Sequence, residues 1–365
     1  MHLRIGSRGS QLALWQANHI AVNVRAMGHT TEIVIIKTTG DRMQDPAFAA
    51  RVMDVDGNLP AEMDAKGIFI KEIEEALDAS QIDLAVHSLK DLPTILDARF
   101  ALAAIPERAD ARDALLCPEW LQLHTLPAGA RIGTTSPRRI AQLRAHNPEF
   151  QFVAIRGNID TRLRKLARGE CDALVLACAG LDRLGTRLLR PVDLHPEHPE
   201  QNRPTHMECV THPDHDHLEE HAQAVDVPGQ ADWIRERFDP DTLCPAPGQG
   251  ALGIEVRADD SATIAALQSL DHAATRYAVE AERWLLHALG GGCSLPVGAL
   301  CVADGYGRIT LQSAVTSPDG DAMVTVKLVA ERGETARELG SRGAQSLVEQ
   351  GARVLLAGDY ASLVQ

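Results

Sequence analysis

The feature that most constrains the fold is a regular exchange between short apolar, β-branched runs and amphipathic helical stretches. It is clearest between residues 131 and 177. There, residues 132–133 read as a strand, 137–146 as a helix, 152–155 as a strand, 161–168 as a helix and 173–177 as a strand. Parallel strands linked by crossover helices produce this alternation, so an α/β architecture is expected. The N-terminal third repeats the pattern. A strand at 3–7 leads to a helix at 11–27, with Ser10 as its N-cap and Gly28 as its stop, followed by a strand at 32–37. An amphipathic helix at 69–79 and a buried strand at 82–86 come next, and a third α/β unit is expected from about residue 261. A length of 365 residues leaves room for two or three such cores.

Two stretches break the pattern. Residues 41–65 have no steady period and carry Asp-Pro, Asp-Gly and Leu-Pro breaks, which read as a long functional loop. Residues 190–243 hold 13 Asp+Glu against 4 Lys+Arg, whereas 131–189 hold 11 Lys+Arg against 5 Asp+Glu. A chain of net charge −14 has thus kept one basic segment, which suits small anions better than nucleic acid. Aromatic residues make up only 4%, too few for a base-stacking platform. Segment 190–233, rich in Pro, His and acid, reads as an exposed insertion. Its seven histidines between His195 and His221 lack the spacing of a folded metal site, so no metal is expected. No apolar run reaches the ~18–20 residues that span a bilayer, and the chain enters its first strand without an apolar leader. A cytoplasmic location, no membrane contact and no nucleic-acid partner are therefore expected.

Chemistry concentrates where strands end. In "GTTSPRRIAQL", Ser136 caps a helix whose first position is Pro137, placing Arg138 and Arg139 in the first turn. Cations at that positive end are unfavourable unless an anion sits among them, and Thr134, Thr135 and Ser136 add donors beside it. "IRGNIDTRLRKL" places Arg156 at a strand end and Arg162 in the next helix, and Arg8 ends the first strand. Arginine predominates over lysine, as bidentate carboxylate recognition favours. Opposite these cations, "AVHSLKDLP" ends a buried strand in Lys90 and Asp91. A carboxylate in a cationic cleft can accept pyrrole-type N–H bonds or steady a developing cation, although such a Lys-Asp pair also serves as a salt bridge. The seven cysteines form no C-x-x-C pair, and Cys171 and Cys178 read as core residues in an apolar run. Cys293, in "GGGCSLP", sits where the backbone is most permissive and the side chain least covered.

Eight segments in order, "LRIGSRGSQLALWQA", "KGIFIKEIEEAL", "DLAVHSLKDLPT", "GTTSPRRIAQL", "RGNIDTRLRKL", "AGLDRLG", "PAPGQGALGIE" and "GGGCSLPVGA", resemble the porphobilinogen deaminase (hydroxymethylbilane synthase) family. The resemblance spans nearly the whole chain except the insertion. It implies two type-II periplasmic-binding-protein-like domains facing a cleft, plus a smaller C-terminal α/β domain carrying the cofactor cysteine. The implied boundaries are 1–108 with 243–260, then 109–189, the insertion 190–233, and 261–365. It implies a monomeric enzyme that condenses four porphobilinogen units head to tail on a dipyrromethane primer, releasing ammonia and giving hydroxymethylbilane. Cys293 resembles the residue joined to that primer by a thioether, which would explain an uncovered sulfur that a bulky pyrrole must reach. Asp91 resembles the catalytic aspartate. Arg8, Arg138, Arg139, Arg156, Arg162 and Arg183 resemble the arginines that hold acetate and propionate groups of porphobilinogen and the growing oligopyrrole. Ser10, Lys66, Lys90, Thr134, Thr135 and Ser136 resemble supporting positions, and Glu62 stands where the family often has a further lysine. Two other classes remain open from the residues alone. A small-anion receptor would leave Cys293 idle, and an acyl transferase built on Cys293 would need a histidine base.

Overall fold

The computed structural model describes residues 1–42, 67–119, 122–185, 233–291 and 295–357. The insertion, nearly all of the 41–65 stretch, Lys66 and Cys293 lie outside them. Three sheets organise the described chain. The first comprises β1 (His2–Ser7), β2 (Thr30–Ile35), β3 (Leu84–Ser88), β4 (Phe100–Ala104) and β10 (Leu252–Arg257), in the order β2-β1-β3-β10-β4. The second comprises β5 (Asp113–Leu116), β6 (Arg131–Gly133), β7 (Gln151–Val153), β8 (Ala173–Ala177) and β9 (Ile234–Arg237), in the order β7-β6-β8-β5-β9.

The two orders follow one plan. Three parallel strands come first, then an antiparallel strand that the chain lays down just after crossing from the other sheet, then a fourth strand. The chain crosses from β4 to β5 in one direction and from β9 to β10 in the other. This is the pair of type-II periplasmic-binding-protein-like domains that the motifs implied. The crossings run against each other, with the Ala109 amide donating to the Gly250 carbonyl at 3.2 Å. Gly250 has φ +87°, and a Cβ there would lie 2.6 Å from the Ala109 oxygen, so only glycine lets the two crossings meet.

Helices cover the first two sheets. Helix α1 (Gln11–Ala26) buries Gln16, Ala17, Ile20, Ala21 and Val24, a helical stripe, against Leu3, Ile5, Leu84 and Ile254. Its N-cap is Ser10, whose hydroxyl accepts from the Ala13 amide at 3.3 Å. After the short α2 (Thr39–Arg42) come α3 (Gly67–Asp78), α4 (Pro137–His146), α5 (Ile159–Ala167) and α6 (Cys178–Arg183). Helix α7 (Ser261–Leu267) falls within the expected third unit, yet its Leu267 packs in the first core beside Leu3 and Ile5.

The third unit contains α8 (Ala273–Ala288), the antiparallel sheet β11 (Val297–Ala303), β12 (Ile309–Thr316) and β13 (Met323–Val329), then α9 (Ala336–Glu349) and α10 (Ala352–Ala357). Leu285, Val297, Leu311, Val315, Leu339 and Leu347 form its core. Glu282 on α8 joins this unit to the crossings. Fully buried, it takes both guanidinium nitrogens of Arg108 at 2.6 and 3.0 Å, and the Gly248 and Cys301 amides at 2.7 Å each. Four charge-assisted bonds satisfy a carboxylate that burial would otherwise penalise heavily.

Candidate active site

The sequence-selected residues cluster at the C-terminal ends of the parallel strands of both sheets, where open α/β folds bind ligands. Arg8 follows β1, while Lys90 and Asp91 follow β3 in a single 3-10 turn, Leu89–Asp91. Thr134, Thr135 and Ser136 follow β6, Arg156 follows β7, and Arg183 ends the helix after β8. Ser136 caps α4 as expected, accepting from the Arg139 amide at 3.4 Å, with Pro137 at the first helical position.

At the centre lie Asp91, Lys90 and Arg162. Asp91 is exposed, and its carboxylate makes no hydrogen bond or ion pair among the described residues. Lys90 donates to the Gln249 side-chain oxygen at 3.3 Å. The residue is half-buried, and burial pushes its ammonium down to about 8, against the opposing pull of Asp91. Arg162 donates to the Gly157 carbonyl at 2.7 Å. Burial and then the neighbouring Arg139 lower its guanidinium to about 10, with Asp91 pulling the other way. One free carboxylate therefore shares its surroundings with cations from both domains.

The arginine pair of α4 departs from expectation. An anion does stand at that helix start, but it is the chain's own Asp113, fully buried on β5. Arg138 donates to it at 2.7 Å, and Arg139 donates at 2.7 and 3.1 Å. Burial would raise the Asp113 carboxyl, yet the two guanidinium groups outweigh it and hold it at about 2. Arg138 spends a further donor on the Cys244 carbonyl and Arg139 one on the Val175 carbonyl. With 4% and 6% of their surfaces exposed, these side chains act first as wall rather than as free anion receptors.

Others are also partly committed. Arg8 pairs with Asp41 at 2.6 Å. Burial would raise that carboxyl, but hydrogen bonds from Arg8 and Thr38 hold it below its ordinary value. Arg183 donates to the Gly250 carbonyl at 2.8 Å and lies over the Trp15 ring at 5.7 Å, pinning the second domain to the crossing. Thr134 is buried, its hydroxyl accepting from the Ser136 amide at 3.2 Å, while Arg156 is exposed. Two residues that the sequence did not single out link these groups. Gln249, 1% exposed, donates to Asp113 at 3.0 Å and to the Ala111 carbonyl at 2.7 Å while accepting from Lys90. A glutamine within "PAPGQG" and an acid inside the apolar run of β5 were the available signals.

The family model described as "Porphobilinogen deaminase, dipyromethane cofactor binding domain" matches residues 3–202 and 224–265, and the family's C-terminal domain matches 276–349. The chain belongs to the porphobilinogen deaminase family. The porphobilinogen deaminase of Nocardia farcinica is 40% identical over 362 residues, covering 97% of this chain and 88% of that one. That of Corynebacterium efficiens is 39% identical over 358 residues, covering 98% and 100%. A periplasmic substrate-binding protein of an ABC transporter from Coxiella burnetii superposes with a TM-score of 0.38 at 12% identity, covering 75% and 93%.

The residues of this family member suit a dipyrromethane. Such a group brings acetate and propionate carboxylates, and the site is short of negative charge. Arg162 and Lys90 have no carboxylate within ion-pairing distance among the described residues, and Asp91 offers acceptors to pyrrole N–H groups. Helix α8 ends at Ala288, with Leu289 as its C-cap. Gly290 and Gly291, both at positive φ, then close the helix, their amides bonded to the His287 and Leu286 carbonyls at 3.0 and 2.9 Å. Among the described residues, no helix is long and apolar enough to cross a membrane.

Proposed function

We infer that this chain is a porphobilinogen deaminase that builds hydroxymethylbilane by adding porphobilinogen units, one at a time, to a dipyrromethane held on Cys293. The observation that carries this reading is the Asp91 carboxylate, unpartnered among the described residues and set among Lys90 and Arg162. We assign Cys293 as the attachment residue and Asp91 as the catalytic one. Lys90, Arg162, Arg156 and Arg8 are assigned to the carboxylates of substrate and chain. The exchange of Asp41 for a substrate carboxylate would free Arg8.

The bound dipyrromethane would supply a pyrrole with an unsubstituted α-carbon nucleophile. Asp91 acts at the porphobilinogen methylene. As the C–N bond breaks, the amine departs with the electron pair and a proton as ammonia, and the positive charge left on the substrate ring lies against this carboxylate. When the new C–C bond forms, the proton displaced from the attacked carbon has the same carboxylate as its nearest acceptor. Lys90 and Arg162 orient the ring by its acidic side chains. We assign a monomer working in the cytoplasm. Alone among the three readings left open by the residues, this one uses Cys293, the cationic crevice and Asp91 together.

The test is intact mass combined with turnover. Wild-type enzyme should carry a two-pyrrole adduct on Cys293 and consume porphobilinogen with release of ammonia. Asp91→Ala should keep the adduct and lose turnover by ~100-fold or more. A bare thiol in freshly purified, active enzyme would refute the assignment.

A further inference from the structure

The catalytic turn is held from outside its own domain. Arg283, on α8 of the third unit, is 8% exposed and lies against the exit of the Leu89–Asp91 turn. Its Nη1 donates to the Leu89 and Leu92 carbonyls at 3.4 and 3.3 Å. Its Nη2 donates to the Pro93 and Thr94 carbonyls at 2.5 and 3.1 Å. No carboxylate lies within ion-pairing distance of this guanidinium among the described residues, and burial lowers it to about 10. Enclosing a charge with no counter-charge is costly. Neutral donors could satisfy carbonyls at lower cost, whereas a planar fork reading four carbonyls at once fixes the path of the backbone.

That path carries Asp91 at its centre. The same helix continues to Gly290 and Gly291, from which the segment bearing Cys293 departs. The two ends also meet directly: a Cβ on Gly291 would stand 3.4 Å from the Thr94 hydroxyl. One helix therefore touches the catalytic turn through Arg283 and, two turns later, through the glycine turn that closes it.

We propose that Arg283 is a positioning residue that fixes the placement of Asp91, acting through the carbonyls of residues 89 and 92–94. The proposal rests on the assignment of Asp91 and Cys293 in the preceding subsection. It concerns geometry at the reacting bond rather than affinity. The rate constant should therefore change and substrate binding should not, since a displacement of ~1 Å at a reacting pair can cost ~100-fold.

The experiment measures kcat and KM per adduct-bearing chain for Arg283→Lys and Arg283→Gln, with intact mass and thermal melting recorded alongside. Lysine keeps the charge and up to three donors and should lower kcat about tenfold. Glutamine should lower it about a hundredfold, with KM within about twofold of wild type in both. If the glutamine variant does not fold, the lysine variant carries the test, because it leaves a charged donor in place. A folded, adduct-bearing variant with wild-type kcat overturns the proposal, and so does a rise in KM at constant kcat. Wild-type enzyme lacking the adduct or failing to consume porphobilinogen would instead overturn the assignment on which the proposal rests.

Discussion

At the scale of single residues, the informative fact about Lys90 is its environment. Burial pushes its ammonium down to about 8, even with Asp91 beside it. The side chain is thus charged below about pH 8 and loses its charge above. If that charge holds a substrate carboxylate, kcat/KM, which reports the free enzyme, should fall on the alkaline side with a midpoint near 8. Lys90→Arg should move this limb to higher pH, and an unchanged profile through pH 9 in both enzymes would remove Lys90 from binding. The stability linkage has the opposite sense. An unfolded lysine titrates at ~10.4, so between about 8 and that value the unfolded chain holds more protons and this residue's contribution to stability rises with pH. The identity of Lys90 was plain in the sequence, but its altered proton affinity was not. That affinity depends on burial beside Gln249 and on repulsion from the α4 arginines, which lie far away along the chain.

At the scale of elements, local chemistry was legible wherever it is self-contained. The strand at 173–177 and the helix at 137–146, with its Ser136 cap and Pro137 start, are as the sequence predicts, because capping and periodicity need no distant partner. Strand bounds were displaced where pairing sets them. The run expected at 32–37 pairs instead from Thr30 opposite His2, and the run expected at 82–86 becomes Leu84–Ser88, with Ser88 opposite Leu252. Helix packing was also hidden. On α9, a Cβ at Gly340 would land on the Ala281 carbonyl oxygen and 2.8 Å from the Trp284 Cβ, so α8 and α9 meet backbone to backbone there. Gly340→Ala should therefore destabilise the protein by about 1–3 kcal/mol despite the better helix propensity of alanine. Denaturant melting measures this, and a stabilised variant would show that the contact relaxes freely.

At the scale of the whole molecule, buried polar groups tie the three units together at the crossings. Glu282 collects Arg108, Gly248 and Cys301. Asp113 collects Arg138, Arg139 and, through Gln249, Lys90 of the catalytic turn. The cost of removing one such centre follows from what it leaves behind. Asp113→Asn strands two buried guanidinium groups without a counter-charge, and the loss should be about 3–5 kcal/mol in denaturant unfolding. In the wild type the Asp113 contribution is present above the ordinary carboxyl range and is lost as pH falls through about 2. A variant as stable as wild type would mean that the arginines find other partners.

The sequence by itself determined the elements, the alternation that makes the first two domains α/β, and the residue types at the strand ends. Caps, periods and turn residues act over a few positions, and so did the motifs that mark the family. Only the tertiary structure decided which cations are already neutralised. Arg138 and Arg139 look identical in kind to Arg162 along the chain, yet Asp113 on β5 reaches them, while Arg162 has no carboxylate within ion-pairing distance among the described residues. Whether a charge is free to bind depends on desolvation and on partners brought together across long stretches of chain, which local patterns do not encode.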